Sequence, residues 1–458
     1  MKYSTAFLVA GCFFMEMLDA TIVTTAAPAI GVALHAPATS VAIVITSYML
    51  ALAAFIPVGG WLITRLPART VLVGAIATFT IASLLCGLAQ SLEWLVVARV
   101  LQGVGGAMMV PVGRQVVLRD AAKTDVMRLM SYIIWPGLLA PVIAPLVGAL
   151  LAGHLGWQWI FWINVPLGVL ATLVAVRVTP TTVDGPPRRL DILGVVLVGV
   201  SLGAVVWAAH LIADTDSAVP VLVSWLVASV VLLAAALVHL LLAKEPIVEL
   251  HVLRDRVFGA SQFGMGVFFM VVSAVPFLMP LMMQAAFGWS PVRAGVLVMF
   301  VFVGNIGIKP FAKPLIERFG FRRVLGASTA GLAVTAVALG LCTAATSPVA
   351  IAAIALLSGV FRSTALTAYS TIGFATIEVS QRRAANTLNA VNQQLATGLG
   401  VAIAAVGVRL GAVLSGDPQS HAAYAWAFGV VAAVTLLSGL GVALLPRDAG
   451  RELHASRA

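Results

Sequence analysis

Charge is what this chain has least of. Only 10% of its 458 residues are Asp, Glu, Lys or Arg, while 61% are hydrophobic; a soluble domain carries roughly 25% charged residues. That balance excludes a water-soluble globule. Cysteine is scarce as well. Cys12, Cys86 and Cys342 all lie inside apolar stretches without paired or metal-type spacing, so they read as small core residues rather than as a disulfide or metal framework. A Walker-type phosphate loop, a helical metal motif and a nucleophile with its base are also missing, which argues against an ATP-driven pump or a membrane hydrolase. No enzyme activity, metal or organic cofactor is expected, and an ion gradient has to supply any energy.

What the chain does have is a series of apolar runs, each near the roughly 20 residues that a bilayer core requires. They fall at about 7–30, 42–63, 71–90, 94–117, 131–153, 159–178, 191–211, 219–243, 260–285, 294–316, 324–343, 348–372, 389–412 and 424–445. The expectation is an all-α integral membrane protein with fourteen transmembrane helices. The N-terminal "MKYSTAFLVAGCFF" looks superficially like a signal peptide, but its apolar run continues to Ile30, so it reads as an uncleaved first helix.

The net charge of +10 does not point to nucleic acid, because the basic residues form short clusters spread along the chain. One set of alternate loops holds Arg65 and Arg69; Arg119, Lys123 and Arg128; Arg188 and Arg189; Lys244, Arg254 and Arg256; Arg318, Arg322 and Arg323; Arg382 and Arg383. The opposite set has Arg293 and Arg409 at helix ends and carries Glu93, Asp214, Asp216 and Asp417. The positive-inside rule then places both termini in the cytoplasm.

A weak internal repeat is present. "GGWLITRLPARTVLVG" (Gly59–Gly74) is similar to "KPLIERFGFRRVLG" (Lys313–Gly326), and Arg99 in "LVVARVLQGVGG" has a counterpart, Arg362, in "LLSGVFRSTALT". This predicts an N-terminal six-helix half (1–180), two inserted helices with their linkers (181–250), and a C-terminal six-helix half with a short tail (251–458). Secondary transporters built from such repeats bind at the repeat interface.

Two carboxylates interrupt the first apolar run, in "FMEMLDATIV". Glu16 and Asp19 share a helix face, about 4.5 Å apart along the axis. Asp19 lies near mid-membrane, where a charge costs a few kcal/mol and needs a cavity or a partner. It is either a titrating group or half of a structural ion pair; if both acids face one cavity, their titration belongs to the pair.

Several stretches resemble the major facilitator superfamily, and within it the 14-helix drug:proton antiporters: "LDATIVTTAAPAI", "ITSYMLALAAFIPVGGWL", "RVLQGVGGAMM", "APVIAPLVGALL", "WQWIFWINVPLGV", "LDILGVVL", "VPFLMPLMMQ" and "NTLNAVNQQLATGLGVAI", in that order. The resemblance implies two six-helix halves and proton-coupled multidrug efflux by alternating access across the cytoplasmic membrane. Asp19 and the fixed cation Arg99 would then handle the proton, joined by Glu16, an acid one turn away that the family pattern does not require. Close packing is the expected role of Gln102, Gly103, Gly105 and Gly106, and Gln102 is also a cavity candidate. Pro141, Pro145 and Gly148 would shape a gating helix, with Arg65, Glu317, Arg318, Gly320 and Arg322 in the gating loops. Two departures stand out: in the first cytoplasmic hairpin Thr64 replaces the family's Asp and Pro67 its Gly, and in the fifth helix the expected Gly-Pro pair appears as Ala144 and Pro145, with Gly148 followed by Ala149.

Tyr48, Met279, Met283, Gln284, Tyr369, Asn389 and Asn392 are further candidates for a substrate cavity, the methionines because thioethers make an adaptable apolar wall. Ordinary packing and interhelical hydrogen bonding are the competing readings. Pro276, Pro280 and Gln284 are expected on one helix face. The partners implied are a small-molecule substrate, protons and lipids, with no nucleic acid and a monomer as the family expectation; whether a periplasmic adaptor collaborates stays open. Two other functions remain: export of one metabolite or siderophore, and a transporter-like sensor or partner subunit without turnover.

Overall fold

A backbone crossing hydrocarbon must satisfy its own N–H and C=O groups, and a helix does so within one segment. The computed structural model describes residues 2–37, 40–119, 123–181, 183, 189–213, 219–374, 377–378, 381–417 and 419–444, and all regular structure among them is helical. The α-helices are α1 (Lys2–Ala33), α2 (Ala42–Leu62), α3 (Ala68–Gly87), α4 (Leu92–Arg119), α5 (Lys123–His154), α6 (Trp159–Trp162), α7 (Asn164–Val178), α8 (Ile192–Ala213), α9 (Val219–Leu242), α10 (Arg256–Leu281), α11 (Pro291–Gly307), α12 (Lys309–Phe319), α13 (Phe321–Leu341), α14 (Pro348–Gly373), α15 (Arg382–Ser415) and α16 (His421–Leu444).

Twelve spans are long and apolar enough to cross a membrane, with α6 and α7 forming one of them, and α11 with α12 makes a thirteenth if the pair is taken as one. The remaining expected segment is α8, Ile192–Ala213, whose described apolar stretch covers Ile192–Val205. The chain is thus a multi-pass membrane protein. Of the charges used for orientation, Arg188, Asp214 and Asp216 lie outside the described residues, as do the side chains of Arg119, Lys123, Arg128, Arg382 and Arg383 and the tail beyond Leu444.

Two segments differ from the sequence expectation. The run 294–316 is not one straight helix but bends by 54° between α11 and α12. Pro310, in the first turn of α12, has no N–H to close the ladder onto the preceding turn, and its ring crowds that turn's carbonyl. At the end of α10 the α-helix gives way to a π-helical turn, Met282–Ala286, closed by Phe287 N–H donating to the Met282 carbonyl at 3.2 Å. Gln284 lies in this turn, whereas Pro276 and Pro280 lie in α10.

Hydroxyls inside the spans are satisfied locally. Thr21, Thr46 and Thr80 donate to the carbonyls of Met17, Ala42 and Ile76, one turn back on their own helices. Side chains also set some helix starts: Asp255 accepts from Phe258 N–H at α10, and Ser290 caps α11 ahead of Pro291. Gly320, with φ of 78°, ends α12 in a conformation that favours glycine. Pro67, its counterpart in the repeat, sits at φ −54° before α3.

The chain forms two compact units, Met1–Ala208 with Ala218–Ile247 and Ala209–Ser217 with Val248–Ala458. In the first, α1 packs along α5, and α4 packs against α2 and α3. A Cβ on Gly105 would stand 2.6 Å from Phe79 N and 2.8 Å from Ala75 O, so α3 and α4 meet backbone to backbone. The second unit is organised around α10, which packs against α14, α15 and α16, with α11 along α14 and α13 along α16. Its buried core includes Phe258, Phe268, Phe277, Leu281 and Phe428.

Candidate functional site

The first unit contains a fully buried polar cluster centred on Asp19. Membrane helices rarely enclose a carboxylate without a full set of donors, and here three side chains supply them. Asp19 Oδ2 accepts from Arg99 Nη1 at 2.5 Å; Oδ1 accepts from Gln102 Nε2 at 2.9 Å and from Asn164 Nδ2 at 2.8 Å. Asp19, Arg99, Gln102 and Asn164 are each 0% exposed.

Helix geometry explains how four distant residues meet. Arg99 and Gln102 lie three residues apart on α4 and so share a face, which lets Arg99 Nη1 also donate to Gln102 Oε1 at 2.6 Å. Gln102 Nε2 reaches on to Ser83 Oγ at 2.7 Å, while Ser83 donates to the Phe79 carbonyl of its own helix. Arg99 Nε donates to the Val44 carbonyl of α2 at 3.2 Å. Its guanidinium lies 4.0 Å from the Tyr48 ring centroid and 5.6 Å from that of Phe161, a cation–π arrangement strengthened by the absence of water.

The cluster is nearly, but not wholly, saturated. Arg99 Nη2, Asn164 Oδ1 and the Tyr48 hydroxyl are buried without a hydrogen-bond partner. Glu16, one turn from Asp19, is only 6% exposed, and its Oε2 is likewise unpartnered. Arg114 of α4 lies close enough for its charge to act on Glu16. That guanidinium sits 5.0 Å from the Phe13 ring, and its Nε has no partner. The two acids therefore differ in kind: Asp19 is held by three donors, whereas Glu16 keeps a free oxygen.

The other residues singled out from the sequence fall into separate groups. In the first unit, α5 runs as one helix through Pro136, Pro141 and Pro145. A Cβ on Gly148 would stand 2.8 Å from the Ile22 carbonyl and 2.6 Å from the Thr25 hydroxyl of α1. Thr64 donates to the Trp61 carbonyl, and the Arg65 guanidinium lies 5.8 Å from the Trp61 ring. In the second unit, Met279 and Met283 are fully buried, and Gln284 lies in the π-helical turn. Tyr369 donates to the Ser438 carbonyl at 3.3 Å. Asn389 and Asn392 both bond to Gln262 of α10. Glu317 reaches Lys313 at 4.0 Å, and Arg318 stacks near Phe319; Gly320 and Arg322 follow at the α12–α13 junction.

Asn164, Ser83 and Arg114 had not been singled out from the sequence. The signal for Asn164 is an amide inside the apolar "WQWIFWINVPLGV", a group that cannot be left unbonded in a membrane. Among the described residues no group of three or more His, Cys, Asp or Glu gathers as a metal site would require.

A closed ion-pair cluster inside one helical unit suits a membrane transporter, and the comparisons with known proteins agree. The profile of the Major Facilitator Superfamily matches residues 9–243 and 262–457. A relative named "Putative multidrug resistance protein MdtD" from Yersinia pestis (strain Pestoides F) is 30% identical over 455 residues, covering 98% of this chain and 97% of its own. Among solved structures, the POT family transporter PepTSo has a TM-score of 0.70 at 15% identity, covering 98% of both chains. A D-xylose–proton symporter also reaches 0.70, at 13% identity and 98% coverage of both. These likenesses support the fold, and the profile match over nearly the whole length carries the family: the chain belongs to the major facilitator superfamily of membrane transporters.

Proposed function

We propose that the protein is a proton-coupled secondary transporter that exports small amphiphilic compounds across the cytoplasmic membrane by alternating access, with both termini in the cytoplasm. The observation that carries this reading is Asp19, fully buried and held by Arg99, Gln102 and Asn164. A carboxylate so placed has two self-consistent states. Ionised, it neutralises Arg99 and occupies three donors. Protonated, it leaves the guanidinium without a counter-charge, because arginine keeps its proton. Entry of a proton therefore rearranges the hydrogen bonds tying α1 to α4 and α7, and this coupling of charge to helix packing is what a proton-driven cycle requires.

Glu16, with an unpartnered oxygen one turn away, extends the proton path or receives cargo. The prolines of α5 and the loop residues Arg65, Glu317, Arg318, Gly320 and Arg322 belong to gating in this reading. Each proton moved down 100 mV supplies about 2.3 kcal/mol, enough to drive a neutral or singly charged compound uphill. The relative's multidrug-resistance name supports efflux of varied compounds.

The test is efflux from proteoliposomes under an imposed pH gradient, with a panel of cationic, neutral and anionic amphiphiles. Wild-type protein exports several of them, and Asp19→Asn abolishes the dependence on the gradient. Unaltered gradient-driven efflux in Asp19→Asn would remove Asp19 from the mechanism; transport of one compound alone would favour a dedicated exporter.

A further inference from the structure

The second unit holds a deeply placed cation that meets no group of opposite sign among the described residues. α10, α11, α13, α14, α15 and α16 contain no Asp or Glu; the described acids of the unit are Glu249, Asp255, Glu317, Glu378 and Asp417, at helix ends and connections. Arg362 lies at the middle of α14, about 21 Å from its Pro348 end and about 16 Å from its Gly373 end by helix rise. Neither end is within reach of its own side chain, so snorkelling does not account for it.

Arg362 resembles Arg99 in position but not in surroundings. Arg99 has a carboxylate, an amide and a carbonyl; Arg362 has only a long bond from Nη1 to the Val272 carbonyl, at 3.4 Å, and the Phe302 ring at 5.3 Å. It makes no ion pair among the described residues, and its Nε is buried without a partner. A second cation adds to the imbalance: Lys309, exposed at the bend between α11 and α12, lies close enough for its charge to act on Arg362. An uncompensated guanidinium at mid-membrane costs several kcal/mol. Two neighbouring cations and a guanidinium whose Nε has no partner suit an anion with two oxygens, since Nε and an adjacent Nη match an oxyanion bidentately.

We propose that Arg362, assisted by Lys309, binds the carboxylate, phosphate or sulfonate of an amphiphilic cargo within the second unit. The inference rests on the transporter reading and adds to it a cargo class, an apolar body carrying one oxyanion. Asp19 then answers to the proton, and Arg362 to the cargo.

The experiment compares a dansyl-labelled alkanoic acid with its methyl ester, which differ by one charge. Binding to the purified full-length protein in detergent is read by fluorescence titration, and flux is read in zwitterionic proteoliposomes under a pH gradient. Wild-type protein is expected to prefer the acid over the ester by at least tenfold. Arg362→Gln collapses that preference, Arg362→Lys keeps part of it because the charge stays while the fork is lost, and Lys309→Gln lowers it a few-fold. Equal affinity for acid and ester in the wild type, or a preference that survives Arg362→Gln, overturns the proposal. So does competition by phosphatidylglycerol liposomes that erases the acid preference, which would assign Arg362 to a lipid headgroup. Binding needs no turnover, so an acid preference without gradient-driven flux would sink the transport reading while leaving the anion site standing.

Discussion

Separating Asp19 from Arg99 is the most informative perturbation. Their atoms approach to 2.5 Å and both side chains are 0% exposed. Unit charges centred about 4 Å apart at an effective dielectric of about 20 attract by about 4 kcal/mol. Removing one partner forfeits that attraction and strands a buried charge, for which about 3–5 kcal/mol is typical. Arg99 also keeps Gln102, the Val44 carbonyl and two aromatic rings, so the loss in Asp19→Asn falls toward about 3 kcal/mol. In the double variant Asp19→Asn/Arg99→Gln no uncompensated charge remains. Its loss is expected to be at least about 2 kcal/mol smaller than the sum of the two single losses. The assay is reversible unfolding of the purified protein in mixed micelles with increasing dodecyl sulfate, on all four members of the cycle. Additivity within about 0.5 kcal/mol would refute the reasoning, because it would mean that the two charges do not depend on each other.

Further predictions address packing and the ends of the spans. Gly105→Ala places a methyl against Phe79 N and Ala75 O and is expected to cost about 1–3 kcal/mol, whereas Gly74→Ala, with nothing within 4 Å, leaves stability unchanged or slightly raised; the same unfolding titration reads both. Asp191 precedes α8 and accepts from His239 at 2.7 Å, from Gly194 N–H and from Ile247 N–H. Burial pushes its carboxyl up, but those hydrogen bonds and the His239 charge outweigh it and hold the group below its ordinary value. Its stabilisation is therefore complete above the unfolded value of about 4 and lost as pH falls through the lower folded value. Melting curves of wild type and Asp191→Asn should differ at pH 7 and converge below about pH 4; a constant difference across that range would remove the carboxylate from the argument.

The ion pair was legible in the sequence because a charge inside an apolar run has few affordable environments. Asp19 and Arg99 stand out that way, whereas Gln102, one turn along α4, reads from the sequence as a packing or cavity residue, and its bond to Asp19 emerges only in the fold. Asn164 and Ser83 were harder. Short polar side chains can bond to their own helix, as Ser83 does with the Phe79 carbonyl, so their presence in a span does not reveal a tertiary partner. The bend at Ile308 had a visible cause in Pro310, yet apolarity continued across it and suggested one segment. Hydropathy averages over the register that a proline breaks. The π-helical turn after Leu281 left no comparable mark, since its residues, Met282–Ala286, are ordinary for an α-helix.

That turn has a consequence for tolerance of insertions and deletions. A π-helical turn holds one residue more than the α-helical path between the same flanks. Elsewhere in a packed span, a single deletion rotates every later side chain by about 100° and exchanges buried for lipid-facing positions. Removing one residue from Met282–Ala286 instead relaxes the surplus and lets the flanking helix keep its phase. This segment closes the span that α10 begins, with Phe287 and the connection to Ser290 after it, so a one-residue change there leaves the register of α10 intact.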